Sequence, residues 1–155
     1  ASLDTVVPAL AAIKPVPGRL CPMSARGGAR LIDDSYNANP DSVLAALRVL
    51  KTAPGRRTMV LGDLAELGDE AVELHRQIGR SVAEAGIERL YTVGDLSAHA
   101  GQAFTGEHKH FDERAALIDY VGAELGSDDS ILVKGSRSAR MDDLVAAWGE
   151  KAAVC

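Results

Sequence analysis

Three short polar segments concentrate side chains that could do chemistry in this sequence. Residues 33–40 read Asp-Asp-Ser-Tyr-Asn-Ala-Asn-Pro, residues 62–68 read Gly-Asp-Leu-Ala-Glu-Leu-Gly, and residues 134–138 read Lys-Gly-Ser-Arg-Ser. Each segment directly follows a short apolar run, a pattern that predicts a buried strand. Polar residues at the carboxyl ends of parallel strands meet at one edge of the sheet, where α/β proteins bind their ligands. We therefore expect the three segments to form one ligand site.

The segment at residues 33–40 carries more polar groups than a turn requires. Asp34 is suited to accept hydrogen bonds from ribose hydroxyls, as an acidic residue near a strand end does in many nucleotide sites. Tyr36 can stack on a base, and Asn37 can bind a polar edge of a ligand. These residue types favour a nucleotide as the ligand.

Asn39 has two interpretations, and the sequence does not choose between them. It can contribute to the ligand site beside Asn37, or it can cap a helix that begins at Pro40. Asp41 would then lie in the first turn, where a carboxylate interacts favourably with the helix dipole.

The segment at residues 134–138 combines two cations with two hydroxyl groups and a glycine. Arg137 can bind a carboxylate or phosphate through two hydrogen bonds, whereas Lys134 acts as a point charge. An ordinary basic turn leading to a helix capped near Ser138 is the alternative. Lys134 directly follows a fully apolar strand, however, which is difficult to explain as solvated surface.

The segment at residues 62–68 places two carboxylates between glycines, which let the backbone approach a neighbour closely. From the residues alone, a simple loop leading into the next helix is the favoured interpretation. His75 lies within that helix and is predicted to be a structural, hydrogen-bonding histidine. The remaining histidines, at positions 99, 108 and 110, have no metal-like spacing and are expected at the surface.

The elements that position these segments alternate between strand and helix. Residues 19–23 and 29–33 predict an antiparallel pair around the glycines of residues 26–28. Helical spacing follows Pro40, and strands and helices then alternate to the last predicted helix through Trp148. This order predicts an α/β fold: a Rossmann-like, mostly parallel sheet with an antiparallel edge hairpin and helices on both faces.

The length and composition predict one domain. The 155 residues are 46% hydrophobic and 25% charged, as expected for a globular chain. We expect a leading helix and linker at residues 1–17 and an α/β core at residues 18–155. A net charge of -5 argues against sequence-independent binding to nucleic acid.

Several absences narrow the function further. The two cysteines form no C-x-x-C pair, which favours a reducing, cytoplasmic environment. No apolar run is long enough to predict a membrane span. The sequence also lacks G-x-x-x-x-G-K-[ST], so it cannot hold a triphosphate by the P-loop mechanism alone.

In their order and spacing, the three segments resemble the C-terminal domain of the Mur ligases, and among these the branch that adds D-alanyl-D-alanine. The resemblance begins at residues 17–20, continues through residues 33–40 and 62–68 with His75, and ends at residues 133–138. The first and last signatures together are highly specific.

The resemblance implies a bacterial, three-domain enzyme of peptidoglycan synthesis. Its N-terminal UDP-sugar domain and central P-loop ATPase domain would lie outside this chain. ATP would phosphorylate the carboxylate of UDP-MurNAc-tripeptide, and the amine of D-alanyl-D-alanine would attack the acyl phosphate. Mg²⁺ and the phosphate-binding lysine would belong to the ATPase domain, so we expect no catalytic residue, no metal site and no activity in this chain alone.

The resemblance also assigns site residues. On the nucleotide side it implies Asp34, Tyr36, Asn37 and Asn39. Near the acceptor dipeptide it implies Lys134, Ser136 and Arg137.

Two other functions stay open from the residues alone. A stand-alone nucleotide-binding module would carry the same segments. A receiver-type phosphoacceptor domain also has acids after early strands and a lysine after a late one, with Asp63 as the acceptor. A receiver, however, gives no role to residues 37–40 and is not preceded by a hairpin.

Overall fold

A computed structural model describes residues 16–150, which form a six-stranded sheet among helices. The strands are β1 (Cys21–Ser24), β2 (Arg30–Asp34), β3 (Arg56–Gly62), β4 (Arg89–Val93), β5 (Glu107–Phe111) and β6 (Asp129–Lys134). Their order across the sheet is β1-β2-β6-β3-β4-β5. The β1–β2 pair is antiparallel and the other pairs are parallel, which confirms the predicted edge hairpin.

Four helices of the described chain connect successive strands from β2 to β6, and a fifth follows β6. They are α1 (Pro40–Lys51), α2 (Ala71–Glu84), α3 (Ser97–Ala103), α4 (Arg114–Glu124) and α5 (Asp142–Trp148). Short 3₁₀ turns occur at Arg26–Gly28, Gly68–Glu70 and Arg137–Ala139. The helix predicted within residues 1–17 lies outside the described residues.

The side chains of the central strands alternate between two apolar clusters. Val60 and Ile131 pack with α4 and α5, whereas Met59 and Leu132 pack with α1, α2 and α3. Because successive strand residues point to opposite faces, the clusters lie on opposite sides of the sheet. The fold is therefore a three-layer α/β/α arrangement, as the alternating pattern predicts.

The position of β6 brings together segments that are distant in sequence. β6 pairs with β2 on one side and with β3 on the other. The loops that follow these three strands therefore lie side by side at one edge of the sheet, which we call the carboxyl edge. No helix within residues 16–150 has the length and apolar character needed to span a membrane.

A group of buried charges lies at the opposite edge of the sheet, where β3, β4 and β6 begin. Arg89 and Asp129 pair at 2.8 Å with side chains only 5% and 3% exposed. Arg56 Nε also donates to Asp129 Oδ1 at 2.8 Å. Burial alone would raise the pKa of Asp129, but the hydrogen bonds and positive charges of its partners hold that pKa below its ordinary value.

Candidate ligand site at the carboxyl edge

A buried ion pair joins the loop after β2 to the end of β6. Lys134 Nζ donates to Asp34 Oδ2 at 2.6 Å and to the Asn37 carbonyl oxygen at 3.0 Å. The other carboxylate oxygen of Asp34 accepts from the Leu20 backbone N–H at 3.1 Å. The Lys134 side chain is 1% exposed, so it is not solvated surface. Asp34 and Lys134 fix the loop after β2 against β6.

Asp33 shapes the start of the same loop. Its Oδ1 accepts hydrogen bonds from the Ser35 hydroxyl at 2.6 Å and the Ser35 backbone N–H at 3.1 Å. Its Oδ2 accepts from the Gly18 backbone N–H at 2.8 Å. Gly18 has a φ of 76°, and an added Cβ there would lie 2.9 Å from Tyr36 Cβ. Glycine is therefore required where the chain before β1 crosses this loop.

Asn39 is the N-cap of α1, as one of its two interpretations predicts. Its Oδ1 accepts from the Ser42 backbone N–H at 2.8 Å, and the Ser42 hydroxyl accepts from the Asn39 N–H at 3.0 Å. Pro40 occupies the first turn. Asn37 is exposed, and its Oδ1 accepts from the Ala38 N–H at 2.9 Å. Both carboxamides thus take part in ordering the loop.

The loop after β3 contacts the loop after β6 directly. The Ser136 N–H donates to the Asp63 carbonyl oxygen at 2.9 Å. An added Cβ on Gly62 would lie 2.9 Å from Ala139 Cβ, and one on Gly135 would lie 3.2 Å from Gly62 Cα. The close approach that glycine was expected to permit is therefore present at Gly62.

Tyr36 and Arg137 are two predicted site residues with exposed side chains. Tyr36 is 46% exposed. The guanidinium of Arg19 lies 4.5 Å from the centroid of its ring and that of Arg137 lies 5.9 Å away. These distances allow cation–π attraction, and they place two positive charges around the one exposed ring of the loop.

Two cavities open at this edge, with Arg137 lining both. The Tyr36 cavity has a volume of about 580 Å³ and is lined by Pro17, Ser35, Tyr36, Arg137, Arg140 and Asp142, among others. The Glu66 cavity has a volume of about 690 Å³ and is lined by Asn37, Asn39, Glu66, Ser136, Arg137 and Ser138, among others. The three segments therefore meet around a shared space, as expected for polar residues that follow neighbouring parallel strands.

A third cavity of about 610 Å³ lies further along the edge, beside Asp63, Gly94 and Arg114. Arg114 Nε lies 3.3 Å from Asp143 Oδ2 there. None of the seven residues predicted for the nucleotide or acceptor side lines this cavity.

The histidines differ in how deeply they are buried. His75 is fully buried; its Nε2 accepts from the Leu64 N–H at 3.1 Å and its Nδ1 lies 2.7 Å from the Ala71 carbonyl oxygen. This confirms its structural role. His108 is exposed as predicted, but His99 and His110 are partly buried. Thr92 Oγ1 lies 2.9 Å from His110 Nδ1.

The sequence interpretation did not assign roles to three charged residues at this edge: Arg19, Glu66 and Arg140. Arg19 precedes the β1–β2 hairpin, and the hairpin brings its guanidinium next to the Tyr36 ring. The spacing of the two residues in the sequence does not reveal this contact. Glu66 and Arg140 both have positive φ, at 61° and 50°. Neither is a glycine, so no sequence signal marks their left-handed conformation.

The mostly parallel sheet with helices on both faces defines a Rossmann-like α/β domain, a class whose members bind ligands beyond the carboxyl ends of their parallel strands. The family described as "Mur ligase, glutamate ligase domain" matches residues 18–137, and this chain belongs to that family.

The chain is similar to curated ligases from several bacteria. The chain is 44% identical over 152 residues to the UDP-N-acetylmuramoyl-tripeptide--D-alanyl-D-alanine ligase of Escherichia coli strain K12, covering 97% of this chain and 33% of the ligase. It is 36% identical over 165 residues to the ligase of the same name from Mycobacterium tuberculosis strain H37Rv, covering 90% of this chain and 32% of that protein. This chain thus spans about a third of the length of these relatives.

The chain is also similar in fold to solved structures of Mur ligases. MurF from Acinetobacter baumannii superposes with a TM-score of 0.84 at 33% identity, covering 94% of this chain and 33% of that chain. MurF ligase from Thermotoga maritima, in complex with ADP, has a TM-score of 0.79 and covers 89% of this chain and 32% of that chain. At 23% identity, the second likeness shows the fold alone.

Proposed function

We propose that this chain is the C-terminal domain of a bacterial cytoplasmic ligase that joins D-alanyl-D-alanine to UDP-MurNAc-tripeptide at the expense of ATP. The observation that carries the proposal is 44% identity, across 97% of the chain, to a ligase named for that reaction. The carboxyl-edge site supports it, because polar and cationic groups from three loops surround cavities large enough for small ligands.

In the proposed reaction, the γ-phosphoryl group of ATP moves to the tripeptide carboxylate and forms an acyl phosphate and ADP. The amine of D-alanyl-D-alanine then attacks the acyl carbon and loses a proton as the amide bond forms. The bond between the acyl carbon and the phosphate oxygen breaks, and phosphate leaves with its electron pair. The residues of this chain bind and orient the reactants, which converts an encounter of separate molecules into a positioned one. The proposed UDP-sugar and ATPase domains belong to the remaining two thirds of the longer protein.

On the nucleotide side, we propose contacts from Asp34, Tyr36, Asn37 and Asn39. The two guanidinium groups around Tyr36 support an anionic ligand there, because they lower the electrostatic cost of bringing phosphates close. The ADP held by the MurF ligase of T. maritima is consistent with an adenine nucleotide. Both oxygens of Asp34 already accept hydrogen bonds, so a ribose hydroxyl would have to share one of them.

On the acceptor side, we propose that Arg137 binds the carboxylate of the dipeptide and that Ser136 lines its pocket. Arg137 is exposed and suited to bidentate binding. Lys134 is enclosed beneath the loop after β2, and we propose that it acts mainly by holding Asp34 and Asn37 in place.

Mg²⁺ is proposed to bind in the ATPase domain of the longer protein. Within residues 16–150, the structure contains no group of three or more acidic, histidine or cysteine side chains that could hold a metal ion.

The test is ligation by the purified longer protein. With ATP, Mg²⁺, UDP-MurNAc-tripeptide and D-alanyl-D-alanine, mass spectrometry should detect UDP-MurNAc-pentapeptide, and one ADP should form for each amide bond. Residues 1–155 alone should form no product, because the phosphate site and domain closure are missing. A longer protein that hydrolyses or binds ATP without ligating the dipeptide would contradict the proposal and favour a nucleotide-binding module.

A further inference from the structure

The Glu66 cavity carries opposite charges on its lining. Glu66 comes from the loop after β3 and Arg137 from the loop after β6. Both residues are exposed. The remaining polar lining comes from Asn37, Asn39 and the hydroxyl residues of the β6 loop.

Neither charge is neutralised within the described chain. In residues 16–150, the carboxylate of Glu66 has no hydrogen-bond or ion-pair partner, and the guanidinium of Arg137 contacts the Tyr36 ring but no carboxylate. The two side chains also do not pair with each other across the cavity. A ligand placed between them can therefore meet one unpaired negative group and one unpaired positive group.

The backbone of Glu66 holds it in an uncommon conformation. Its φ of 61° lies in the left-handed region, which costs roughly 1–2 kcal/mol for a residue with a Cβ. Leu64, two residues earlier in the same loop, donates its backbone N–H to Nε2 of buried His75. Leu20 and Arg140 are the other non-glycine residues with positive φ in the described chain, and both adjoin the same edge. Strained residues of this kind cluster at functional sites.

We propose that Glu66 binds the ammonium group of the acceptor dipeptide while Arg137 binds its carboxylate. This inference rests on the proposed function and adds a residue that orients the attacking end of the acceptor. A dipeptide carries both charges on one small molecule, and two extended residues span about 7 Å, which suits a cavity of about 690 Å³.

The same charge pattern disfavours the nucleotide as occupant of this cavity. A carboxylate beside the phosphates of ATP would repel them, whereas the Tyr36 cavity has cations around its exposed ring. The geometry therefore separates the two ligands, with the acceptor on the Glu66 side of Arg137 and the nucleotide on the Tyr36 side.

The experiment compares Glu66→Gln with wild type in the longer, ligating protein. Removing the charge should raise the KM for D-alanyl-D-alanine by about tenfold or more, the usual effect of losing a hydrogen bond to a charged group. The KM values for ATP and UDP-MurNAc-tripeptide should change by less than about twofold, since those ligands do not contact Glu66. Glu70→Gln, which changes an exposed glutamate that does not line the cavity, should behave like wild type.

A dipeptide analogue separates ammonium binding from a structural effect. Propionyl-D-alanine has the shape of the dipeptide but lacks the amine, so it should inhibit wild type and Glu66→Gln with the same Ki. If Glu66→Gln weakens binding of the analogue and of the dipeptide equally, or leaves the KM for the dipeptide unchanged, the inference is wrong. In either case, ligation by the wild-type longer protein would leave the proposed function intact. A wild-type protein that does not ligate would contradict both the proposed function and the role of Glu66.

Discussion

Lys134 Nζ lies 2.6 Å from Asp34 Oδ2, although 100 residues separate the two in sequence. The pair exists because β6 inserts beside β2 and its last residue, Lys134, aligns with Asp34 in the strand register. Its side chains are only 1% and 12% exposed, so the two charges have little water around them. The carboxyl-edge site therefore depends on a buried contact that also stabilises the fold.

We expect Lys134→Met to destabilise the chain strongly. Removing the cation leaves the carboxylate of Asp34 buried without a counter-charge, which typically costs about 3–5 kcal/mol of unfolding free energy. The double variant Lys134→Met/Asp34→Asn should recover much of the loss, because it removes the uncompensated charge. Urea unfolding of wild type, both single variants and the double variant measures this coupling. Equal midpoints for Lys134→Met and wild type would show that the pair contributes nothing.

Arg137→Ala should leave the stability of the chain nearly unchanged and weaken binding of the acceptor. The side chain is exposed and has no ion pair in the described chain, so the unfolding free energy should change by less than about 0.5 kcal/mol. In the longer protein the variant should raise the KM for D-alanyl-D-alanine about tenfold or more, because a charge-assisted contact to its carboxylate is lost. Arg48→Ala on the exposed side of α1 is the matched control. A normal dipeptide KM in Arg137→Ala would contradict the acceptor assignment.

The layers of the fold follow from the sequence because their causes are local. Apolar runs such as residues 131–133 predict buried strands, and the spacing after Pro40 predicts α1. The chain then places polar residues at strand ends, and the geometry of parallel sheets brings those ends together. These arguments predict the three converging segments without knowledge of the strand order.

The partners within the site could not be predicted in the same way. Whether Lys134 contacts ligand or protein depends on β6 lying next to β2, which no local pattern specifies. The contact of Arg19 with Tyr36 requires the hairpin to fold back over the loop. Glu66 adopts a positive φ, whereas local preference favours other conformations for glutamate.

Asn39 allows the cap and the ligand contact to be separated experimentally. Asn39→Ala should lower the unfolding free energy by about 1 kcal/mol, because the Ser42 N–H loses its acceptor. Asn39→Ser should preserve stability, since serine caps helices about as well as asparagine. If the carboxamide also contacts the nucleotide, both variants should raise the KM for ATP in the longer protein. A normal KM in Asn39→Ser would leave capping as the role of this residue.

The buried charges at the opposite edge should make stability depend on acid pH. Asp129 has a pKa held below its ordinary value of 3.8, so its stabilising contribution is fully present above that pH and is lost as the pH falls through the lowered pKa. Asp129→Asn should lose about 3 kcal/mol at pH 7, because Arg89 is left buried without a counter-charge. The difference in unfolding free energy between wild type and Asp129→Asn should therefore be constant from pH 7 to pH 5 and shrink below pH 3.8. Urea unfolding across this pH range measures the difference in unfolding free energy between wild type and Asp129→Asn. A difference that stays constant down to pH 2 would contradict the assigned role of Asp129.

Glu124→Gln is the control for these measurements. Glu124 lies 3.5 Å from Arg89 and is 41% exposed, so its replacement should cost less than about 1 kcal/mol of unfolding free energy.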